Sequence, residues 1–235
     1  MDFPFHQVYA LDDYNSISKP AVFFGMYRYE DYCVWLHHGQ DVIFWTGQDV
    51  LQWGPLHPVI DGPRNVTAHT KVYKWLKDQL YNCELVKPAA FLNIQQPQRL
   101  GPLIYAYCPD SAPDYHGIKF LRQLVEAGYD ILIGDGYYSQ TDWRGGKANE
   151  LYNQCFIGLC LSEFAGGGTS IIEMGLRGMR VVTNVFDLPN CIPWNSVEDV
   201  MQAIELESKN IGTKNETLTQ QVWDSLDHTH EWLEI

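Results

Sequence analysis

The residues with the clearest chemical potential lie between Tyr152 and Asn184. Three consecutive glycines, Gly166, Gly167 and Gly168, are followed by Thr169 and Ser170, and Glu173 stands a few residues further on. Upstream, Cys155–Leu161 is an apolar run short enough for a buried parallel strand. Downstream, Ile171, Ile172, Met174, Leu176 and Met179 are spaced as a helix, with Thr169 or Ser170 as its N-cap, Gly178 as its stop and a strand at Val181–Val182. A strand, glycine turn, helix and strand form a βαβ unit whose helix begins at the C-terminal edge of the sheet. Backbone N–H groups and the helix dipole there favour an anion such as a diphosphate. Glu173, an acceptor-only side chain, could hold sugar hydroxyls. Glycine triplets also occur in plain turns, and a glutamate in the first turns of a helix is also a dipole partner, so the stretch alone leaves both readings open.

Composition narrows the classes. The 235 residues fit one large or two small domains, and 46% apolar residues suffice for a sizeable core. With 29 acidic against 16 basic residues the formal charge is −13, which argues against a broad nucleic-acid or anionic-membrane surface. The six cysteines are scattered without a C-x-x-C pair and read as reduced core residues of an intracellular protein. The first residues show neither a basic n-region nor an apolar h-region, so no secretory leader is expected. No apolar run reaches the ~20 residues of a membrane span. These features together predict a cytoplasmic location (host cytoplasm if viral).

Strand and helix signals alternate along the chain. Ala21–Phe24 reads as a strand, and Tyr29–His38 as a helix with Tyr32, Cys33, Trp35 and Leu36 inward. Asp41–Trp45 is a strand with a turn at Thr46–Asp49, and Asn65–Ala68 is a short strand. Thr70–Leu80 is a helix with Val72, Trp75, Leu76 and Leu80 on one face, and Cys83–Val86 is a strand. Gln95–Pro102, polar and proline-bearing, reads as a linker. The alternation then restarts with strand Leu103–Cys108, helix Tyr115–Ala127, strand Tyr129–Ile133 and helix Lys147–Gln154. A short Cys191–Trp194 segment follows the central stretch, then a helix from Val197 to about Glu207 capped by Ser196. Leu218, Val222, Trp223, Leu226 and Trp232 are spaced as an amphipathic helix. The expected fold is α/β, two Rossmann-like halves facing one another across a cleft. The halves span residues 1–98 and 99–212, and the helix at 213–235 either crosses back to brace the first half or mediates homodimerisation.

The second half resembles the donor-binding domain of GT-B glycosyltransferases, in particular the retaining group that uses nucleotide sugars. The resemblance rests on Ile131–Gly136 (strand, then Gly-Asp-Gly), Glu150–Cys155, and Ser162–Val182 with its glycine turn, glutamate and G-x-x-V-V run. The first half, through Phe23–Tyr27, Asp31, His37–Gly39 and Trp45–Asp49, looks like the N-terminal domain of compact enzymes of this type from large viruses and phages. The resemblance implies a minimal GT-B fold and sugar transfer from a nucleotide-diphosphate sugar to the hydroxyl of a glycan or small molecule. Glu173 would bind the donor ribose, and the amides of Gly167, Gly168, Thr169 and Ser170 the diphosphate. The nucleobase would lie near Gly134 and Tyr137. Two departures stand out. Ala165 occupies the place of the family's first acid, with Glu163 nearest. The segment from Gly136 to Tyr152 is also too short for one strand–helix unit of the usual domain.

From the residues themselves, Arg144 and Lys147 could neutralise phosphate charge or simply belong to a solvated loop, and Gly25 could let backbone approach the diphosphate or acceptor. Asp49 could orient or deprotonate an acceptor hydroxyl, or equally cap a helix. No Asp-x-Asp and no H-E-x-x-H occur, so metal-independent transfer without a bound cofactor is expected, the nucleotide sugar serving as co-substrate. A nicotinamide-dependent oxidoreductase is the weaker reading, because no G-x-G-x-x-G follows the first strand of either half. A non-catalytic nucleotide- or glycan-binding module stays open.

Overall fold

A computed structural model describes residues 21–25, 29–38, 42–47, 49–53, 64–90, 97–108, 113–134, 147–162 and 168–233. The chain is α/β, with two sheets whose strands all pair in parallel. It divides into two compact units: one comprises Asp2–Phe91 and Leu226–Ile235, the other Leu92–Ser225.

In the first unit the described elements are β1 (Val22–Phe24), α1 (Tyr29–His38), β2 (Val42–Trp45), α2 (Asp49–Trp53), β3 (Asn65–Thr67), α3 (Thr70–Asp78) and β4 (Cys83–Leu85). The sheet order is β1-β2-β3-β4, so each described crossover steps to the next position in the same direction. β2 is buried along its whole length, as a parallel strand covered on both faces must be. Side chains pin its neighbours to it. Trp45 Nε1 donates to Asn65 Oδ1 at 2.9 Å, and Thr67 Oγ1 donates to the Trp45 carbonyl at 2.8 Å.

The tail completes this unit. Asp227 bridges Ala89, and the Trp232 ring packs against Phe44 and Phe24 at centroid distances of 5.1 and 6.5 Å. Arg64 grips Glu84 with two hydrogen bonds of 2.7 Å and donates a third, also 2.7 Å, to the Trp232 carbonyl.

The second unit holds β5 (Leu103–Tyr107), α4 (Ile118–Glu126), β6 (Ile131–Gly134), α5 (Lys147–Tyr152), β7 (Cys155–Cys160), α6 (Thr169–Gly175), β8 (Arg180–Thr183), β9 (Cys191–Ile192), α7 (Val197–Glu207) and α8 (Glu216–Asp224). Its sheet order is β6-β5-β7-β8-β9. From β5 the chain steps outward to β6, then returns past β5 to β7 and continues the other way. Between β6 and β7 the described residues contain the single short helix α5 and no further strand. α4 packs with α7, and α6 with α8. β7, CFIGLC, is buried at every position and forms the centre of the core. α7 begins at a capping box: Ser196 Oγ accepts from the Asp199 amide at 3.3 Å, and Asp199 Oδ2 accepts from the Ser196 amide at 3.0 Å.

Several sequence expectations need correction. Cys33 faces solvent instead of the core, whereas Trp35 is buried. α3 stops at Asp78, and Leu80 follows in a left-handed turn (φ 66°) at 93% exposure, not on the helix's inner face. α6 is capped by Gly168 and not by the hydroxyl of Thr169 or Ser170. Residues 97–102 are not a loose linker: the amides of Gln98, Leu100 and Gly101 donate to the carbonyls of Arg177, Thr213 and Cys155. The helical spacing from Leu218 to Trp232 is not one helix either. α8 ends at Asp224, and Leu226 and Trp232 are buried in the first unit.

Candidate functional site

In an open parallel sheet, ligands bind beyond the C-terminal ends of the strands where the winding direction reverses. In the second unit that place lies between β5 and β7. The loop after β5 and the end of β7 meet there at Gly117. Its φ of 77° and a Cβ position only 2.9 Å from the Leu161 carbonyl leave room for glycine alone. His116, half-buried, lies edge-on to Tyr107 and Tyr115 with ring centroids 5.1 and 5.0 Å away. Burial pulls its pKa below the ordinary value, which keeps the imidazole neutral at pH 7. At the end of β7, Cys160 Sγ is 3.9 Å from the buried Ser162 hydroxyl, and burial raises the thiol's pKa.

The same unit assembles a polar cluster around Glu173, which is half-buried on α6. Tyr152, at the end of α5 and 4% exposed, donates its hydroxyl to Glu173 Oε2 at 3.1 Å. Its ring stands edge-on to Tyr105 of β5 at 5.1 Å, and the Arg177 guanidinium lies 5.4 Å from its centroid. Arg177 Nη1 donates to the Glu173 backbone carbonyl at 2.7 Å. Burial raises the Glu173 pKa, while the Arg177 charge and the Tyr152 hydrogen bond oppose the rise. Burial likewise raises both tyrosines' pKa values, so the hydroxyls remain donors across the physiological range. The arrangement is an acceptor carboxylate held from one side, at a partly open position.

Of the residues singled out in the sequence, the structure brings Gly134 and Glu173 to one cluster. A Cβ on Gly134, the last residue of β6, would lie 2.7 Å from the Tyr105 hydroxyl, so the end of β6 and the carboxylate are linked through two tyrosines. Thr169 and Ser170 open α6, half-buried, after Gly168. A Cβ on Gly168 would run into the Phe186 ring, so internal packing already accounts for that glycine. Lys147 opens α5. Tyr137, Arg144, Glu163 and Gly167 lie outside the described residues.

Gly25 and Asp49 belong to the first unit, after the neighbouring strands β1 and β2. Gly25 is buried with φ 74°, and its amide donates to the Phe44 carbonyl at 2.9 Å. Asp49 is fully buried, and its two carboxylate oxygens accept from the Gly47 amide at 2.8 Å and the Thr46 amide at 3.3 Å.

Sequence reasoning missed Tyr105, Tyr152, Arg177 and His116. Only Arg177 carried a local signal, four residues after Glu173 on what reads as one helix face. Tyr152 meets Glu173, and Tyr105 meets Tyr152, across elements that no local sequence pattern pairs. Among the described residues no group of three His, Cys, Asp or Glu side chains could hold a metal ion, and no helix is long and apolar enough to cross a membrane. Compared with known proteins, the chain matches no protein-family model and no curated protein sequence.

Proposed function

We propose that the chain is a GT-B-type glycosyltransferase that moves a sugar from a nucleotide-diphosphate donor to a hydroxyl acceptor. In this reading the second unit binds the donor and the first serves the acceptor. The observation that carries the reading is Glu173: a half-buried carboxylate, held on one oxygen by Tyr152, in the unit whose sheet reverses direction. A carboxylate so placed is an acceptor for sugar hydroxyls, and the nucleobase is assigned, by the resemblance alone, to the neighbourhood of Gly134 and Tyr137.

In the reaction the bond between the anomeric carbon and the diphosphate oxygen breaks, and an acceptor oxygen bonds to that carbon as its proton is lost. Negative charge grows on the leaving diphosphate. The amides of Gly167, Gly168, Thr169 and Ser170 would receive it, with Arg144 and Lys147 as cations. Asp49, with both oxygens on amides of its own loop, reads as the clamp of that loop. Glu163 is then the acid left to act near the sugar. Transfer is proposed to need no metal, because the sequence has no Asp-x-Asp.

Thermal-shift screening tests the reading. At about 100 times Kd a true donor nucleotide adds about 2.7 kcal/mol, a rise of roughly 5–10 °C for a chain of this size. Nucleoside diphosphates or nucleotide sugars are expected to give that rise and NAD(P) none, and turnover of the stabilising donor is expected to persist in EDTA. Stabilisation without turnover on any hydroxyl acceptor would leave a binding module. Activity lost to EDTA and restored by Mn²⁺ would overturn metal independence. Stabilisation by NAD(P) alone would overturn the whole reading.

A further inference from the structure

We propose that Tyr152 is a positioning residue that fixes Glu173 as a one-oxygen acceptor for a ribose hydroxyl, selecting ribonucleoside over deoxyribonucleoside diphosphates. This rests on the donor-binding reading above. The carboxylate has one side-chain donor among the described residues, the Tyr152 hydroxyl on Oε2, and Oε1 has no hydrogen-bond partner among them. Arg177 directs Nη1 to the backbone carbonyl of Glu173. It steadies the helix and supplies charge without filling the second oxygen.

The Tyr152 ring cannot easily swing away. Tyr105 stands edge-on at 5.1 Å, the Arg177 guanidinium lies 5.4 Å from the ring centroid, and the residue is 4% exposed. Glu173 keeps a partly open position on α6 while one of its oxygens is tied inward. An ionised carboxylate accepts only, so what completes it must bring an O–H or N–H. A ribose hydroxyl does so, and a sugar lacking that hydroxyl leaves the oxygen desolvated and unmatched. Tyr105 extends the same wall to the end of β6, where its hydroxyl fills the space a side chain at Gly134 would need.

The test uses the full chain and calorimetric titration with UDP, GDP, ADP and CDP, then the 2′-deoxy and 3′-deoxy forms of whichever binds. In the unaltered protein one deoxy form is expected to bind about 10- to 100-fold more weakly, the range for a hydrogen bond to a charged group. Tyr152→Phe keeps the ring and its contacts but removes the donor. It is expected to weaken the ribonucleotide about tenfold, to leave deoxy binding unchanged and to hold the melting temperature.

Equal weakening of ribo and deoxy forms would assign Tyr152 a purely structural role and overturn the proposal. So would no change in either. A measurement on the unaltered protein stands apart from the variant's folding: the ribo/deoxy preference should fall as pH drops through the raised Glu173 pKa, and a flat profile overturns the proposal. Failure of every nucleoside diphosphate to bind the unaltered protein would instead remove the donor-binding reading itself, and this proposal with it.

Discussion

Both units repeat the same strand–helix step in parallel, but their windings differ. The first sheet runs β1-β2-β3-β4 without turning back among its described strands, whereas the second runs β6-β5-β7-β8-β9 and reverses beside β5. Their buried carboxylates differ in step with this. Asp49 directs both oxygens to amides two and three residues away and is fully enclosed. Glu173 ties one oxygen to a tyrosine from another element and stays half-open. A carboxylate satisfied by its own loop is doing a fold's work, whereas one satisfied on a single side has capacity left for a ligand.

Three perturbations would break or sharpen this contrast. The largest effect is expected from Trp232→Ala. Emptying a large buried ring site costs about 3–5 kcal/mol, and here the ring fills the space beside Phe24 and Phe44. Hydrogen exchange should show the first unit loosening, while nucleotide binding assigned to the second survives. Equal loosening of both units would mean that they do not respond separately.

Acid comes next. His69, fully enclosed at the entrance to α3, has its pKa pulled from 6.5 to about 4 by burial. The folded unit refuses a proton that the unfolded chain accepts. Its stability is therefore whole above about pH 6.5 and is lost as pH falls toward 4, by at most about 3 kcal/mol. Glu173 acts with the opposite sign. Its raised pKa penalises ionisation, so the second unit gains from Glu173 on acidification, with half-buried His116 working against that gain. Denaturant melts between pH 7 and pH 4.5 should flatten in His69→Gln. An unchanged slope would clear His69 of the effect.

The smallest and most discriminating effects come from amidating the two carboxylates. Asp49→Asn should destabilise by about 1–3 kcal/mol, since one amide loses its acceptor and a buried carboxylate is replaced by a group that also donates. Glu173→Gln should leave denaturant midpoints nearly unmoved while weakening ribonucleotide binding. If Asp49→Asn left stability intact but abolished turnover, the contrast would collapse and Asp49 would return as a catalytic candidate.

Much of the fold was legible locally. Ser196 announced α7 as its cap, and the bounds match the sequence reading; the structure adds Asp199, which completes a capping box within four residues. Tyr29–His38 was equally plain. What failed were positions where apolar spacing outlasts the helix. Leu80 lies beyond a left-handed turn, and Leu226 and Trp232 bury themselves against residues far back in the sequence. Polar, proline-bearing residues 97–102 looked like linker because their role is carried by backbone amides that composition does not reveal. Glu173 stood out by its place after a glycine turn. Tyr105 and Tyr152 did not, because a buried tyrosine in a strand or helix reads as core until the neighbouring strand is known.

The route of the chain has a consequence for its birth. Arg64 reaches the Trp232 carbonyl across 168 residues of sequence, while the other unit is one continuous stretch, Leu92–Ser225. During vectorial synthesis the half made first must therefore wait, its aromatic seat unfilled, while the half made later can finish before it. Until residues 226–235 are made, the apolar seat beside Phe24 and Phe44 stays open, a surface of the kind that chaperones cover.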